Sequence, residues 1–349
     1  MKRAVITGVT GQDGSHLADL LLHKGYSVTG VKRRSSTETT ERVAHLASNE
    51  DFHLVEGDVT DISSMSGIFM KTQPDEIYNL AAQSHVGTSF KQPAATMEIT
   101  GTAVINMLQI LVDHGMWNTR FYQASSSEMF GSNYDVATDG SKYQNEDTPL
   151  TPNSPYAIAK TAAHHAVRLY RQSYDIHASA GILFNHEGPR RGDNFVTKKI
   201  TNYITSLSSW IKTYYVDQSN LLYNAQQRKI TDIKTGLSHD MLGLGNLEAF
   251  RDWGYAGDYV EAMWMMLQQE YPDDYVVCTG KTATITEFLA LAFSESEILE
   301  MDWSRVVYIN PEFYRPTEVN YLRGDYSKIK YKLGWEPSHN LKDLVRLML

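Results

Sequence analysis

Cysteine is almost absent from this 349-residue chain, which carries only Cys278. A single thiol excludes an intramolecular disulfide and a cysteine-based zinc site. It fits a reducing compartment, and Cys278 reads as a buried strand residue. Positive charge is also short. The formal net charge of −9 argues against a general nucleic-acid binder, because phosphate backbones require a basic surface. No stretch approaches the roughly 18 to 20 apolar residues that span a bilayer. The start, "MKRAVITGVTG", has the charge-then-apolar order of a signal peptide. Glycines break its short apolar run at once, so a first β-strand is the better reading. The expectation is a soluble, cytoplasmic protein with neither membrane nor nucleic acid as a partner.

What is present is ordinary globular composition, 42% hydrophobic and 21% charged. The length suits one large α/β domain or two closely connected ones. "RAVITGV", "YSVTGVKR", "FHLVEGD", "EIYNLAA", "RFYQASS" and "ASAGILFN" are short apolar runs separated by helical patterns. One such pattern, Gly14 to Lys24, sets Leu17, Leu20 and Leu21 on one face. Strand and helix in alternation predict a Rossmann-type, doubly wound parallel sheet covered on both faces. The rhythm breaks after about Asn185. Residues 1–185, with a return over about 250–270, are expected to form the cofactor domain. The smaller mixed α/β substrate-binding subdomain is expected over about 186–249 and 271–349. The polar segment 213–235 shows no clear period and reads as a surface excursion, a hairpin or an oligomer contact.

"TGVTGQDG" follows the first strand and opens the first helix, spacing Gly8, Gly11 and Gly14 three apart. Glycines there allow a tight turn and close approach of a pyrophosphate to the helix N-terminus. The pattern alone is weak; its position in a βαβ unit makes it a dinucleotide loop. At the end of the second strand, NAD-binding folds place a carboxylate for the ribose hydroxyls. Here the chain has "VKRRSS" instead. Arg33 and Arg34 can pair with a 2′-phosphate while Ser35 and Ser36 donate hydrogen bonds, so NADP is the predicted cofactor. Asp58, closing the third strand, suits either an adenine amine or a helix cap.

"SPYAIAK" puts Tyr156 and Lys160 four residues apart on one helix face. The nearby ammonium, together with a positive nicotinamide ring, is expected to favour the phenolate and make the tyrosine usable as a base. The run "ASSSE", ending the fifth strand, would face this pair. A hydrolase reading fails on motif grounds: no G-x-S-x-G elbow surrounds the serines and no partner histidine is evident. Ser125 and Ser127 suit helix capping.

Longer blocks then carry a family resemblance. "YQASSSEMFG", "SPYAIAK", "GILFNHEGPRRGDNFVTKKI", "LGNLEAFRDWG" and "YRPTEVNYLRGD" resemble the extended short-chain dehydrogenases, most closely their GDP-mannose 4,6-dehydratase branch. The similarity covers nearly the whole chain. It implies that Ser126 and Glu128 are the hydroxyl and acid of the catalytic set, with Tyr156 and Lys160. The commoner family residue at Ser126 is threonine. For the cofactor it implies Gly8, Thr10, Gly11, Gln12, Asp13, Gly14, Arg33 to Ser36, Asp58 and Val59. Leu80, Ala81, Ala82, Gln83, Ser84, His186 and Arg191 complete that set. For the GDP-sugar it implies Ser84, Ser126, Glu128, Asn185, Val196, Lys199, Arg251, Arg315 and Glu318.

The implied reaction is C4 oxidation, loss of water across C5 and C6, and hydride return to C6, in a homodimer or homotetramer. Three positions depart from the pattern: Ala95 replaces a cofactor-facing tyrosine, Gly188 replaces a serine, and the segment 213–235 is longer than expected. Alternative readings are a dehydratase for another GDP-sugar, such as a GDP-manno-heptose, an NDP-sugar 4-epimerase, and a non-enzymatic NADP sensor. Glu128 opposes the epimerase, which needs no base at C5.

Overall fold

The computed structural model describes residues 1–37, 39–298 and 300–349. Seven strands form one parallel sheet: β1 (Arg3–Thr7), β2 (Ser27–Lys32), β3 (Phe52–Glu56), β4 (Glu76–Asn79), β5 (Arg120–Ser126), β6 (Ala178–Leu183) and β7 (Asp274–Val277). Their spatial order is β7-β6-β5-β4-β1-β2-β3, and every neighbouring pair is parallel. The order reverses between β1 and β4. At such a switch point the loops leaving the strand ends diverge and open a crevice, where this architecture binds ligands. The six strands expected from the sequence are all present. The seventh, β7, carries the return to the sheet beyond residue 270.

Helices cover both faces, as doubly buried strands require. On one side α1 (Gln12–His23) packs against the returning helix Ala256–Leu267. Leu17, Leu21, Tyr259 and Met263 are all fully buried between them and the sheet. On the other side lie α2 (Ile62–Thr72), the continuous helix α3 (Pro93–Asp113) and α4 (Pro155–Tyr174). Their apolar faces meet Ile77, Phe121 and Ala180.

Among the described residues, α3 is the one helix long and apolar enough, at a mean hydropathy of 1.3, to cross a membrane by length and composition, a correction to the sequence expectation of no such stretch. Half of that window is buried inside the protein. The packing of Val104, Met107, Leu108 and Leu111 against the sheet explains its apolar character as that of a core helix.

Most of the remainder forms a smaller unit around α5 (Val196–Thr213), with its own core of Ile200, Ile204, Leu207, Phe288 and Leu289. The helix Ser327–Leu333 instead returns to β7, and its Ile329 and the following Trp335 are buried in the core of the large sheet. The segment expected to be an excursion continues α5 to Thr213 and then builds a three-stranded antiparallel sheet, Leu221–Asn224, Lys229–Asp232 and Ser238–Asp240. The hairpin reading therefore holds, with a third strand added. Cys278 is fully buried, one residue beyond β7.

Candidate active site

The glycine loop is shaped by contacts that only glycine allows. Gly8 has φ +68° and a Cβ there would meet the Ala81 backbone nitrogen at 2.9 Å. At Gly14 a Cβ would fall 2.4 Å from the Gly8 carbonyl oxygen. Gly11 is the N-cap of α1 and supplies no side-chain cap. Free helix N–H groups, a positive helix end and close backbone approach fit a pyrophosphate. Thr10 closes the loop from outside, its carbonyl accepting from Arg42 Nη1 at 3.4 Å while Arg42 Nε donates to the Arg190 carbonyl.

Asp13 and Gln12 point from the start of α1 toward His186. His186 Nε2 lies 2.8 Å from Asp13 Oδ2 and its Nδ1 lies 2.7 Å from the Phe184 carbonyl. Both partners are acceptors, so both ring nitrogens carry protons and His186 is an imidazolium. Burial disfavours that charge, but the Asp13 carboxylate overcomes it and raises the pKa. Burial likewise opposes the Asp13 charge, and His186 with the Gln12 amide holds Asp13 well below the usual carboxylate range. The imidazolium ring stacks on Tyr259 at 4.7 Å.

The remaining cofactor candidates divide by location. Arg33, Arg34, Ser35 and Ser36 are exposed on the loop after β2, where a phosphate can reach them. Asp58 Oδ1 accepts from the Thr60 amide and hydroxyl. Of the two roles open to it, capping α2 falls instead to Asp61. Val59 is buried in the core between sheet and α2. Leu80 to Ser84 leave β4 over the loop, and the Gln83 amide donates to Thr100. Thr100 belongs to a π-helical turn within α3, Glu98–Thr102, that packs on α4. Ala95 is half-buried in the same helix. A Cβ on Gly188 would come within 3.3 Å of the Tyr255 ring.

Ser154 caps α4, and Pro155 starts it, which places Tyr156 and Lys160 in its first two turns. Both are buried, at 8% and 4% exposure. Burial pushes the Tyr156 phenol up to about 12, with the Ser126 hydroxyl opposing and the Glu128 charge adding to the rise. Burial also brings Lys160 down to about 8, against the pull of Asp13. In the protein itself, without the positive nicotinamide ring that the expectation includes, desolvation is the largest influence on the phenol. Lys160 Nζ donates to the Ala124 carbonyl at 2.6 Å and stands 5.8 Å from the Tyr156 ring centre.

Ser126 itself caps the short turn Ser127–Phe130, accepting from the Glu128 amide at 3.2 Å. The capping role assigned to its neighbours thus moves to Ser126. Ser125 instead meets His164 Nδ1 at 3.1 Å, a histidine partner that sequence inspection missed. His164 Nε2 is 3.9 Å from Asp274. Serine and histidine are each 3% exposed, and Asp274 is held bidentately by Arg171. With no access for an acyl substrate, this is a structural strut and the hydrolase reading stays excluded.

The turn after β5 delivers Glu128 to the smaller unit. Its Oε1 is 3.5 Å from Arg315 Nη1, which lies 3.6 Å from Glu318 Oε1; Arg251 Nη2 donates to that same oxygen at 2.8 Å. Four candidates from three separate segments of the chain thus make one charge cluster. Asn185 lies at the start of a short strand paired with Trp253–Tyr255, two residues from Arg251. Val196 begins α5, and Lys199 Nζ is 4.3 Å above the Phe313 ring, facing a cleft with Asn202, Tyr203 and His239.

Arg191 stacks on Phe195 at 3.6 Å. Its Nε is 2.8 Å from Glu187 Oε2, off the N–H axis, so that contact is ionic rather than an aligned hydrogen bond. Glu187, 2% exposed and bonded by Thr197, was missed in the sequence. So were Thr7 and Asn79, polar residues closing the apolar strands β1 and β4, and Gln123 within β5; a polar residue at a buried strand position was the available signal.

Comparison with known proteins gives the family. The family model described as GDP-mannose 4,6 dehydratase matches residues 5–220 and 217–348. GDP-mannose 4,6 dehydratase 1 of Arabidopsis thaliana is 44% identical over 357 residues, covering 100% of this chain and 89% of the relative. The GDP-mannose 4,6-dehydratase of Yersinia enterocolitica is 41% identical over 380 residues, covering 100% and 93%. Among solved structures, dTDP-glucose 4,6-dehydratase of Streptomyces venezuelae, with NAD bound, superposes at TM-score 0.77 with 22% identity over 99% of this chain and 96% of that one. RMD of Pseudomonas aeruginosa, complexed with NADPH, gives 0.73 and 22% over 100% and 98%. These distant structures share the fold, whereas the sequence matches extend over the full length. The chain belongs to the GDP-mannose 4,6-dehydratase family.

Proposed function

We propose that this protein is an NADP-dependent GDP-mannose 4,6-dehydratase that converts GDP-D-mannose to GDP-4-keto-6-deoxy-D-mannose. The observation carrying this reading is the meeting of a Tyr156–Lys160–Ser126 oxidation set with Glu128, whose carboxylate also touches the Arg315–Glu318–Arg251 cluster. A bound nicotinamide supplies the acceptor for the C4 hydride and returns that hydride at C6. Ser126 hydrogen-bonds O4 while Tyr156 takes its proton, helped by the Lys160 charge. The 4-ketone acidifies C5–H. Glu128 removes that proton and then donates it to the departing C6 hydroxyl, so water leaves and the carboxylate is restored.

Gly8 to Gly14, Asp13 with His186, and Leu80 to Ser84 would hold the dinucleotide, with Arg33 and Arg34 on its 2′-phosphate. Arg251, Arg315 and Lys199 suit the substrate diphosphate, and Glu318 suits the guanine donors. This assigns the unit around α5 the nucleotide-sugar role. Assembly as a homodimer or homotetramer is supported by exposed Met97 and Ile105 on α3 beside exposed Ile158 and Leu169 on α4.

GDP-mannose carrying deuterium at C4 tests the reaction, incubated in ordinary water without added NADP. Label at C6 of a 4-keto product is the expected result. Recovery of a C4 epimer, or of unchanged GDP-mannose while GDP-manno-heptose is consumed, overturns it.

A further inference from the structure

The last paired rungs of three adjacent strands are polar. Thr7 on β1 pairs with Asn79 on β4, and Asn79 pairs with Gln123 on β5. All three are 1% exposed or less. Paired positions in register project to the same face, so their side chains form one row across the sheet, at the crevice edge.

The direction of every hydrogen bond in the row is fixed from one end. The Leu80 and Ala81 amides, which can only donate, both point at Thr7 Oγ1, at 3.1 and 3.2 Å. The Thr7 hydroxyl must then spend its own proton on Asn79 Oδ1, at 2.6 Å. That orients the Asn79 amide, whose nitrogen donates to Gln123 Oε1 at 2.7 Å. Gln123 Nε2 is left facing the Ala124 carbonyl, at 2.9 Å. This carbonyl is the one that accepts from Lys160 Nζ. A flipped amide anywhere along the row would set donor against donor.

We propose that Asn79 and Gln123 are positioning residues for Lys160, linking its placement to the strand-end segment Leu80–Ala81. The proposal rests on the dehydratase reading for the role of Lys160. A neutral amide donor and the ammonium share one carbonyl, so Gln123 limits how strongly Ala124 can hold the ammonium. The lysine is thereby kept available to Tyr156 instead of being drawn back to the strand. Groups facing Lys160 are Asp13 at the start of α1, with His186 paired to it, and Tyr156 on its own helix.

The test compares Gln123→Met, Asn79→Leu and the double variant Asn79→Leu/Gln123→Met with wild type. Asn79→Leu leaves Gln123 in place but removes the amide that orients it, so it covers the case in which Gln123→Met does not fold. Lys160 titration, followed by side-chain NMR and assigned with Lys160→Met, is expected to move upward by roughly half a unit or more in Gln123→Met and in the same direction in Asn79→Leu. The acid limb of the C4-oxidation rate should follow it, with the KM for the GDP-sugar unchanged. The double variant should lose about as much rate as either single one, as members of one unit do. A Lys160 titration that stays at its wild-type midpoint, or rate losses that multiply, overturns the proposal. The NMR titration is read without substrate, so it stands or falls separately from the dehydratase reading.

Discussion

Glu128 and Arg315, 187 positions apart in the chain, bring carboxylate and guanidinium to within 3.5 Å of each other. The acid proposed to work at C5 is thereby tied to a cation proposed to hold the diphosphate. Substrate binding and elimination share one electrostatic cluster, because the turn after β5 projects from the sheet into the smaller unit.

Replacing Glu128 by Gln preserves the shape of the side chain and removes its capacity as a base. Expected is C4 oxidation without elimination, with reduced cofactor accumulating in a single turnover and overall turnover falling by about 10² to 10⁴. Absorbance of the reduced nicotinamide in stopped flow reads this directly. Undiminished turnover would remove Glu128 from the proposed step.

Lys160 is held down to about 8 from an ordinary 10.5 by burial. Below pH 8 the folded protein bears a buried ammonium at a cost, and this cost fades as the pH rises from about 8 to 10.5. Lys160→Met should therefore raise thermal stability at neutral pH, by at most roughly 3 kcal/mol, while abolishing oxidation. The gain should vanish above pH 10.5. Calorimetry across that range provides the measurement, and an equal gain at every pH would contradict the burial argument.

The His186–Asp13 pair predicts the opposite slope. His186 is raised in the folded state, so its contribution is complete below the unfolded value of 6.5 and is lost as the pH climbs through the raised one. Asp13 is depressed, so its contribution is complete above 3.8 and is lost only in stronger acid. Stability from the pair is greatest between those two values. In His186→Gln the decline on the alkaline side of that window should disappear from denaturation midpoints measured against pH.

Arg33 and Arg34 carry the cofactor choice. Changing both to Glu should weaken NADPH binding by at least about a hundredfold, since each charge-assisted bond is worth roughly 1.5–3 kcal/mol. NADH binding should change far less. Fluorescence titration with the two dinucleotides gives the ratio; equal losses for both would place the arginines away from the 2′-phosphate.

Much of this site was legible because it is local. Apolar runs of strand length, three glycines three apart and a tyrosine four residues before a lysine are short-range patterns. Backbone geometry converts them directly into strands, a phosphate loop and a shared helix face. The serine run was legible only in part. The family resemblance selected Ser126, but the partnership of Ser125 with His164 joins strand to helix and has no local signature.

The sequence by itself determined the strand–helix alternation, the loop at the first strand end and the pairing of Tyr156 with Lys160, because each follows from spacing along one segment. Tertiary structure decided the charge states and the partnerships. It buried Tyr156 and Lys160 so that desolvation is the largest influence on both, and it closed the row from Thr7 through Asn79 to Gln123. Those outcomes depend on which strand ends lie side by side and on how much water packing removes, and neither quantity is written in any single stretch of chain.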